Sequence, residues 1–242
     1  MIFNCGNCWP IQGVSIAYSF TLGTPDVYLF FKARSRHLSF EWTQIAKMIN
    51  KDFILIQDTR NGWYQKGLHN LTPNLRKTAK YLLNFVPKKT EKLVLSGGSM
   101  GAYAALLFGF LMMDQTDKTI ISLSFSPQTL LTEKTKDMKI HPPKRIKFFE
   151  ETCWGELYKD DFILDLRDVG KKEHKETSFL FYGKRNKEDR YQAGLMHKST
   201  TLVPLETDDH NTSKWLRNKG QLAKVVLREK KVWNKIIKTG SP

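Results

Sequence analysis

Five residues, Gly97-Gly98-Ser99-Met100-Gly101, constrain this chain more than any other stretch. They read G-x-S-x-G. Upstream, Lys92-Leu93-Val94-Leu95 has the character of a short buried strand, and downstream, residues 103–113 (YAALLFGFLMM) form a small-to-apolar run of helical length. A strand–turn–helix around this pattern places the serine on a sharp, strained turn with its Oγ exposed. The glycines follow from the same geometry, because a side chain at Gly97 or Gly101 would strike the neighbouring strand or helix. The N–H of Met100, first of the new helix, then points to where an oxyanion would form. Taken bare, the pattern is equally a glycine-rich turn with an incidental serine; the flanking strand and helix favour a nucleophile.

Strand-like and helix-like runs alternate along the chain. This predicts an α/β fold with a mostly parallel central sheet and helices on both faces. Strands are expected at 27–31, 53–56, 93–95, 120–125, 178–182 and 201–205, and helices at 42–49 and 74–86. Pro204 cannot donate to a ladder, which puts the last strand at or near an edge. Between Gln128 and Thr177 the periodicity weakens, charges are dense and nearly balanced, and Pro142-Pro143 interrupts the run. Residues 128–177 therefore read as a cap insertion over the active-site edge, within a single domain spanning 1–242.

Hydrophobic residues make up 40% of the chain and aromatics 12%, enough for a full core and unlike a disordered chain. The longest apolar run falls short of the ~20 residues a membrane span needs. The opening MIFNCGNCWPIQ lacks the basic and apolar regions of a signal peptide, so a cytoplasmic protein is expected. Cys5-x-x-Cys8 has no second ligand pair, and Gly6 and Pro10 argue against a redox helix start. Cys5, Cys8 and Cys153 read as reduced thiols, and no metal is expected.

The net charge is +15, and residues 211–242 hold nine Lys/Arg against one acid, Glu229. Lys224, Arg228, Lys231, Lys235 and Lys238 recur at helical steps opposite Leu222, Val225, Val226, Trp233, Ile236 and Ile237. This predicts one amphipathic C-terminal helix, with Glu229 stranded on its apolar side. Its basic face is either solvated or drawn to an anionic surface, headgroups at the inner face of the membrane or an acidic polysaccharide. No nucleic-acid-binding pattern accompanies the charge.

A serine nucleophile needs a base, and the base an orienting acid. In α/β-hydrolases these follow in the order serine, acid, histidine. His210 fits the base, because it follows the last strand, whereas His197 precedes that strand and His37 precedes Ser99. The acid is expected in the loop after residues 178–182. There Asp189 is the first choice and Glu188 the second, while Asn186 stands where many hydrolases carry the acid. Asp189 reads equally as the N-cap of the helix that follows. The second oxyanion donor is expected within Lys32-Ala33-Arg34, at Ala33, with Arg34, Arg36 and His37 beside the site to hold an anionic group or face solvent.

Together these segments resemble the α/β-hydrolase superfamily over roughly residues 25–227. More narrowly they resemble small bacterial α/β-hydrolase-like proteins associated with surface-polysaccharide biosynthesis. The resemblance rests on Phe40-Glu41-Trp42, Ile56-Gln57-Asp58 followed by Trp63-Tyr64 and Gly67, residues 97–106, Tyr182-Gly183 with Asp189-Arg190, and His210-Asn211. It implies acyl-ester chemistry through Ser99, Asp189 and His210, with no resident cofactor. Three functions stay open: a serine esterase acting on a small ester; an O-acyltransferase (acetyltransferase) moving an acyl group, as from acyl-CoA, to a surface glycan; and a catalytically silent hydrolase fold serving as a binding partner in envelope biosynthesis.

Overall fold

A computed structural model describes residues 2–4, 15–35, 40–131 and 162–239. Cys5, Cys8, Cys153, Arg36, His37 and Pro142-Pro143 lie outside the described residues.

In chain order the elements are β1 (Ile2–Asn4), β2 (Ile16–Ser19), β3 (Asp26–Phe31), α1 (Thr43–Met48), β4 (Asp52–Ile56), α2 (Leu75–Phe85), β5 (Lys92–Gly98), α3 (Met100–Met113) and β6 (Thr119–Phe125). They continue with β7 (Ser178–Gly183), α4 (Lys187–Gly194), β8 (Thr201–Leu205), α5 (Thr212–Asn218), α6 (Leu222–Val226) and α7 (Lys230–Thr239). The eight strands form one sheet in the order β1-β2-β4-β3-β5-β6-β7-β8. From β4 to β8 every neighbouring pair is parallel; β2 runs antiparallel to β4 and carries β1 outward beside it. β8 is the edge strand that Pro204 predicted.

The central strands read as unbroken apolar runs because both sheet faces are covered. Val27, Leu29 and Phe31 of β3 enter one core with α2 and α3, while Tyr28 and Phe30 enter a second with α1 and α5 to α7. α2 is amphipathic, burying Leu75, Ala79 and Leu82, and starts on the Asn74 side chain, which accepts from Lys77 N–H. α3 is buried on every side from Met100 to Met112. Its small residues let the sheet approach closely enough for the hydroxyls of Ser122 and Ser124 to donate to Ala105 O and Ala102 O, each at 3.0 Å.

The stretch 222–238, expected as one amphipathic helix, is two, α6 and α7, which corrects that expectation. The break falls at Arg228, which has φ 54°. There the Arg228 guanidinium lies 5.2 Å from the Phe179 ring and 4.9 Å from that of Trp233. The break resets the helical phase, so the Glu229 side chain is exposed instead of facing the core, and its backbone carbonyl accepts from Trp233 N–H.

Residues 132–161, the middle of the expected cap insertion, lie outside the described residues. Its two arms meet at an antiparallel bridge, Leu130 to Asp165. Gln192 of α4 holds one arm through Thr129 and Leu130 N–H, and Gln65 holds the other through Ile163 N–H and C=O. Among the described residues no helix is long and apolar enough to cross a membrane.

Candidate active site

The parallel strands end together, with Phe31 level with Ile56 and Gly97, and Gly98 level with Phe125. The loops beyond these ends are where α/β sheets place their ligands. Ser99 occupies the turn between β5 and α3 with φ 50° and ψ −114°, a conformation costing on the order of 1–3 kcal/mol. Ser99 N–H donates to Phe125 O at 2.9 Å, and Ser99 O accepts from Tyr103 N–H at 3.0 Å, so both sides of the turn are fastened. A Cβ on Gly97 would overlap the backbone carbonyl of Gly101, and one on Gly101 would overlap Phe31 O. Both glycines are therefore required by backbone contact, as the motif implies.

His210 comes from the β8–α5 loop. Asp209 Oδ1 accepts from Asn211 N–H at 2.7 Å, Thr207 Oγ1 from Asp209 N–H at 3.1 Å, and Asn211 caps α5 through Lys214 N–H. Ser126 and Thr212 hydroxyls bond at 2.9 Å and tie this loop to the end of β6. So held, His210 Nε2 lies 3.2 Å from Ser99 Oγ, and His210 Nδ1 lies 2.6 Å from Asp189 Oδ1. A carboxylate oxygen can only accept, so Nδ1 carries the proton and Nε2 is left to accept from the serine hydroxyl. Asp189 is 2% exposed and the His210 side chain 32%. The buried acid and the open imidazole suit a group that orients and a group that exchanges protons.

Asn186, not Asp189, is the N-cap of α4: its side chain accepts from Asp189 N–H at 3.1 Å and donates to Asp208 O at 3.1 Å. That leaves the Asp189 carboxylate for His210. Glu188, the second choice, is half-buried on the same helix turn, and the contact to His210 is made by Asp189.

Ser99 and His210 open into a pocket of about 430 Å³, lined also by Lys32, Ala33, Arg34, Glu41, Phe125 and Asn211. The backbone of Lys32, one of the lining residues, is anchored through Tyr64 to Asp58. That buried carboxylate accepts from Arg60, Gly62 and Tyr64 N–H, and the Tyr64 hydroxyl bonds at the Lys32 and Ile56 carbonyls, 3.1 and 3.2 Å away. Burial pushes the Asp58 carboxyl above the usual carboxylate range despite these bonds. Lys32 is 4% exposed; burial holds its ammonium below the usual lysine range, against the pull of the Glu41 carboxylate. Arg34 lies in the pocket wall with its guanidinium 5.9 Å from the Trp63 ring. Met100 opens α3, so its N–H belongs to the first turn, which has no intrahelical acceptors.

Glu41 and Lys32 line the pocket, although the sequence placed Lys32 only in the segment expected to carry the oxyanion donor and Glu41 only inside Phe40-Glu41-Trp42, with no role for either side chain. The only signal was positional, since both flank elements whose ends face the serine. Among the described residues no group of three His, Cys, Asp or Glu side chains forms a metal site.

No protein-family model matches the chain, and no curated protein matches it by sequence. Solved structures match its fold. A 2,6-dihydroxy-pseudo-oxynicotine hydrolase aligns with a TM-score of 0.55 at 13% identity, over 85% of this chain and 62% of that one. FphF, a fluorophosphonate-binding serine hydrolase of Staphylococcus aureus, aligns with a TM-score of 0.51 at 14% identity, over 84% and 83%. The glycosylation-associated Gap123 complex of Streptococcus agalactiae gives 0.53 at 15% identity, over 87% of this chain and 43% of that one. At these identities the likeness is one of architecture: this chain has the α/β-hydrolase-like fold.

Proposed function

We propose that the protein is a serine-dependent acyl-ester hydrolase of the esterase type. The observation that carries this reading is the unbroken run of contacts from Ser99 through His210 to buried Asp189, at the mouth of an open pocket. Ser99 Oγ attacks the acyl carbonyl carbon while His210 Nε2 takes its proton. The oxyanion forms between Met100 N–H and Ala33 N–H. Collapse breaks the ester bond, and the leaving alcohol takes the proton from His210. A water then gives its proton to His210 and attacks the acyl-serine; the acid leaves and Ser99 recovers its proton. Throughout, Asp189 holds the imidazole and stabilises its charged form.

A second reading shares the acyl-enzyme and discharges it to a glycan hydroxyl, with a donor such as acyl-CoA. What speaks for it is that one structural neighbour is a glycosylation-associated complex.

Intact-mass analysis after a fluorophosphonate probe tests the common step. A single adduct is expected on the wild type, absent in Ser99→Ala and strongly slowed in His210→Ala. A folded wild type that never labels overturns the enzyme reading in favour of a silent binding partner. Release of free acid from an ester without an acceptor then supports hydrolysis over transfer.

A further inference from the structure

The Ala33 N–H assigned to the oxyanion is already occupied. It donates to Glu41 Oε2 at 3.1 Å, and both residues line the pocket of Ser99 and His210. Lys32 N–H cannot replace it, because it donates to Ile56 O at 2.9 Å. A carboxylate oxygen on this N–H is chemically what a tetrahedral oxyanion would be there, a negative oxygen on a backbone donor.

The placement of Glu41 has a cause. The next residue, Trp42, is 3% exposed and stacks on Phe30 at 5.4 Å, which fixes the backbone at this point. The Glu41 side chain itself is exposed and free to turn. A recess of about 20 Å³, room for one water, adjoins the main pocket and shares Glu41 and Asn211 with it. Its other walls include Lys214 and Arg217, exposed cations three residues apart on α5. Trp42 also lines it, with Nε1–H buried and without an acceptor among the described residues.

We propose that Glu41 is a specificity-determining residue: its carboxylate competes with the substrate carbonyl oxygen for Ala33 N–H and yields by turning onto Lys214 and Arg217. The proposal rests on the reading of Ser99 and Ala33 given above. A small ester brings little binding energy of its own and displaces the carboxylate poorly. A larger substrate, anchored along the pocket, uses part of its binding energy to displace it. Glu41 thus selects extended acyl esters over minimal ones.

The test compares wild type, Glu41→Ala and Glu41→Gln, each with and without Lys214→Ala/Arg217→Ala. Fluorophosphonate labelling at Ser99 is timed by intact mass, and kcat and KM are measured with p-nitrophenyl acetate. Circular dichroism checks folding. The near-isosteric Gln variant, whose neutral amide oxygen can still accept from Ala33 N–H, separates the charge from a packing effect of Ala and is expected to gain less than Ala. Removing the carboxylate is expected to raise labelling rate and kcat/KM for the acetate about tenfold, less than the effect of deleting an oxyanion donor outright. The Lys214/Arg217 double change is expected to slow labelling when Glu41 is present and to leave the Glu41 variants unchanged. If the wild type labels and the folded Glu41 variants label no faster, this proposal is overturned and Ser99 keeps its role. If neither wild type nor variants label, the nucleophile reading itself fails and this proposal with it.

Discussion

Asp189 and Asn186 divide two jobs that one side chain could not do. Asn186 caps α4 by accepting from Asp189 N–H, and the Asp189 carboxylate is left to face His210 at 2.6 Å. Asp189→Asn keeps the shape of that contact but removes the charge and lets the imidazole settle in the wrong tautomer. On the esterase reading proposed above, turnover is expected to fall on the order of 10⁴-fold with unchanged folding, measured as kcat beside circular dichroism. Asn186→Ala removes a cap and is expected to cost about 1 kcal/mol of stability while turnover falls far less. A larger loss of turnover in Asn186→Ala than in Asp189→Asn would reverse the assignment. The G-x-S-x-G pattern between a strand and a helix singled out Ser99, and chain order after the last strand singled out His210. Chain order put Asp189 before Glu188 but left open whether Asp189 was instead the N-cap, since that depends on which residue starts α4. Glu41 was visible only as the middle of Phe40-Glu41-Trp42, because its contact with Ala33 N–H comes from how β3 and α1 meet and no local spacing records that.

At the scale of elements, α2 was readable from its period and single apolar face, and the central strands and α3 from unbroken apolar runs whose length separates strand from helix. The C-terminal helices were not, because the lysine spacing runs on through Arg228 as though the helix did. What interrupts it is tertiary: Arg228 stacks on Phe179 and Trp233, and the backbone turns to allow it. The arms of segment 128–177 show the same dependence on partners. Gln65 Nε2 donates to the Tyr103 hydroxyl and to Ile163 O, both at 2.9 Å, and Gln65 Oε1 accepts from Ile163 N–H at 3.1 Å. The Tyr103 hydroxyl itself donates to Ile163 O. One arm is thereby pinned to the helix that carries Ser99. Gln65→Ala strands a buried Ile163 N–H, at an expected cost of about 2–3 kcal/mol in urea unfolding. Tyr103→Phe removes the hydroxyl that accepts from Gln65 Nε2 and donates to Ile163 O but leaves both Gln65 bonds to Ile163 in place, and is expected to cost about 1 kcal/mol. A Gln65→Ala loss within about 0.5 kcal/mol would show that the arm is held elsewhere.

Across the whole molecule, two helical layers on one sheet provide the core, and stability is set against a charge of +15. Cationic self-repulsion weakens the compact state. Surface pairs such as Lys92–Asp26 at 2.8 Å and Lys184–Glu206 at 2.7 Å oppose it locally, and exposed pairs contribute little each. Salt acts on both, since the Debye length shrinks from about 30 Å at 0.01 M to about 10 Å at 0.1 M. It screens the long-range repulsion among many lysines more than it weakens a few short contacts. The melting temperature is therefore expected to rise by a few degrees as sodium chloride increases from about 0.01 to 0.3 M. The basic stripe of α7 supplies a specific check. Lys230, Lys231, Lys235 and Lys238 are exposed while Trp233 and Ile236 are buried, so changing those four lysines to glutamine removes four charges, from +15 to +11, without touching the core. The variant is expected to melt higher than the wild type at low salt and to converge with it at high salt. A wild type whose melting temperature falls with salt would mean that the local pairs outweigh the net charge. Equal salt slopes for the two proteins would place the repulsion away from this helix.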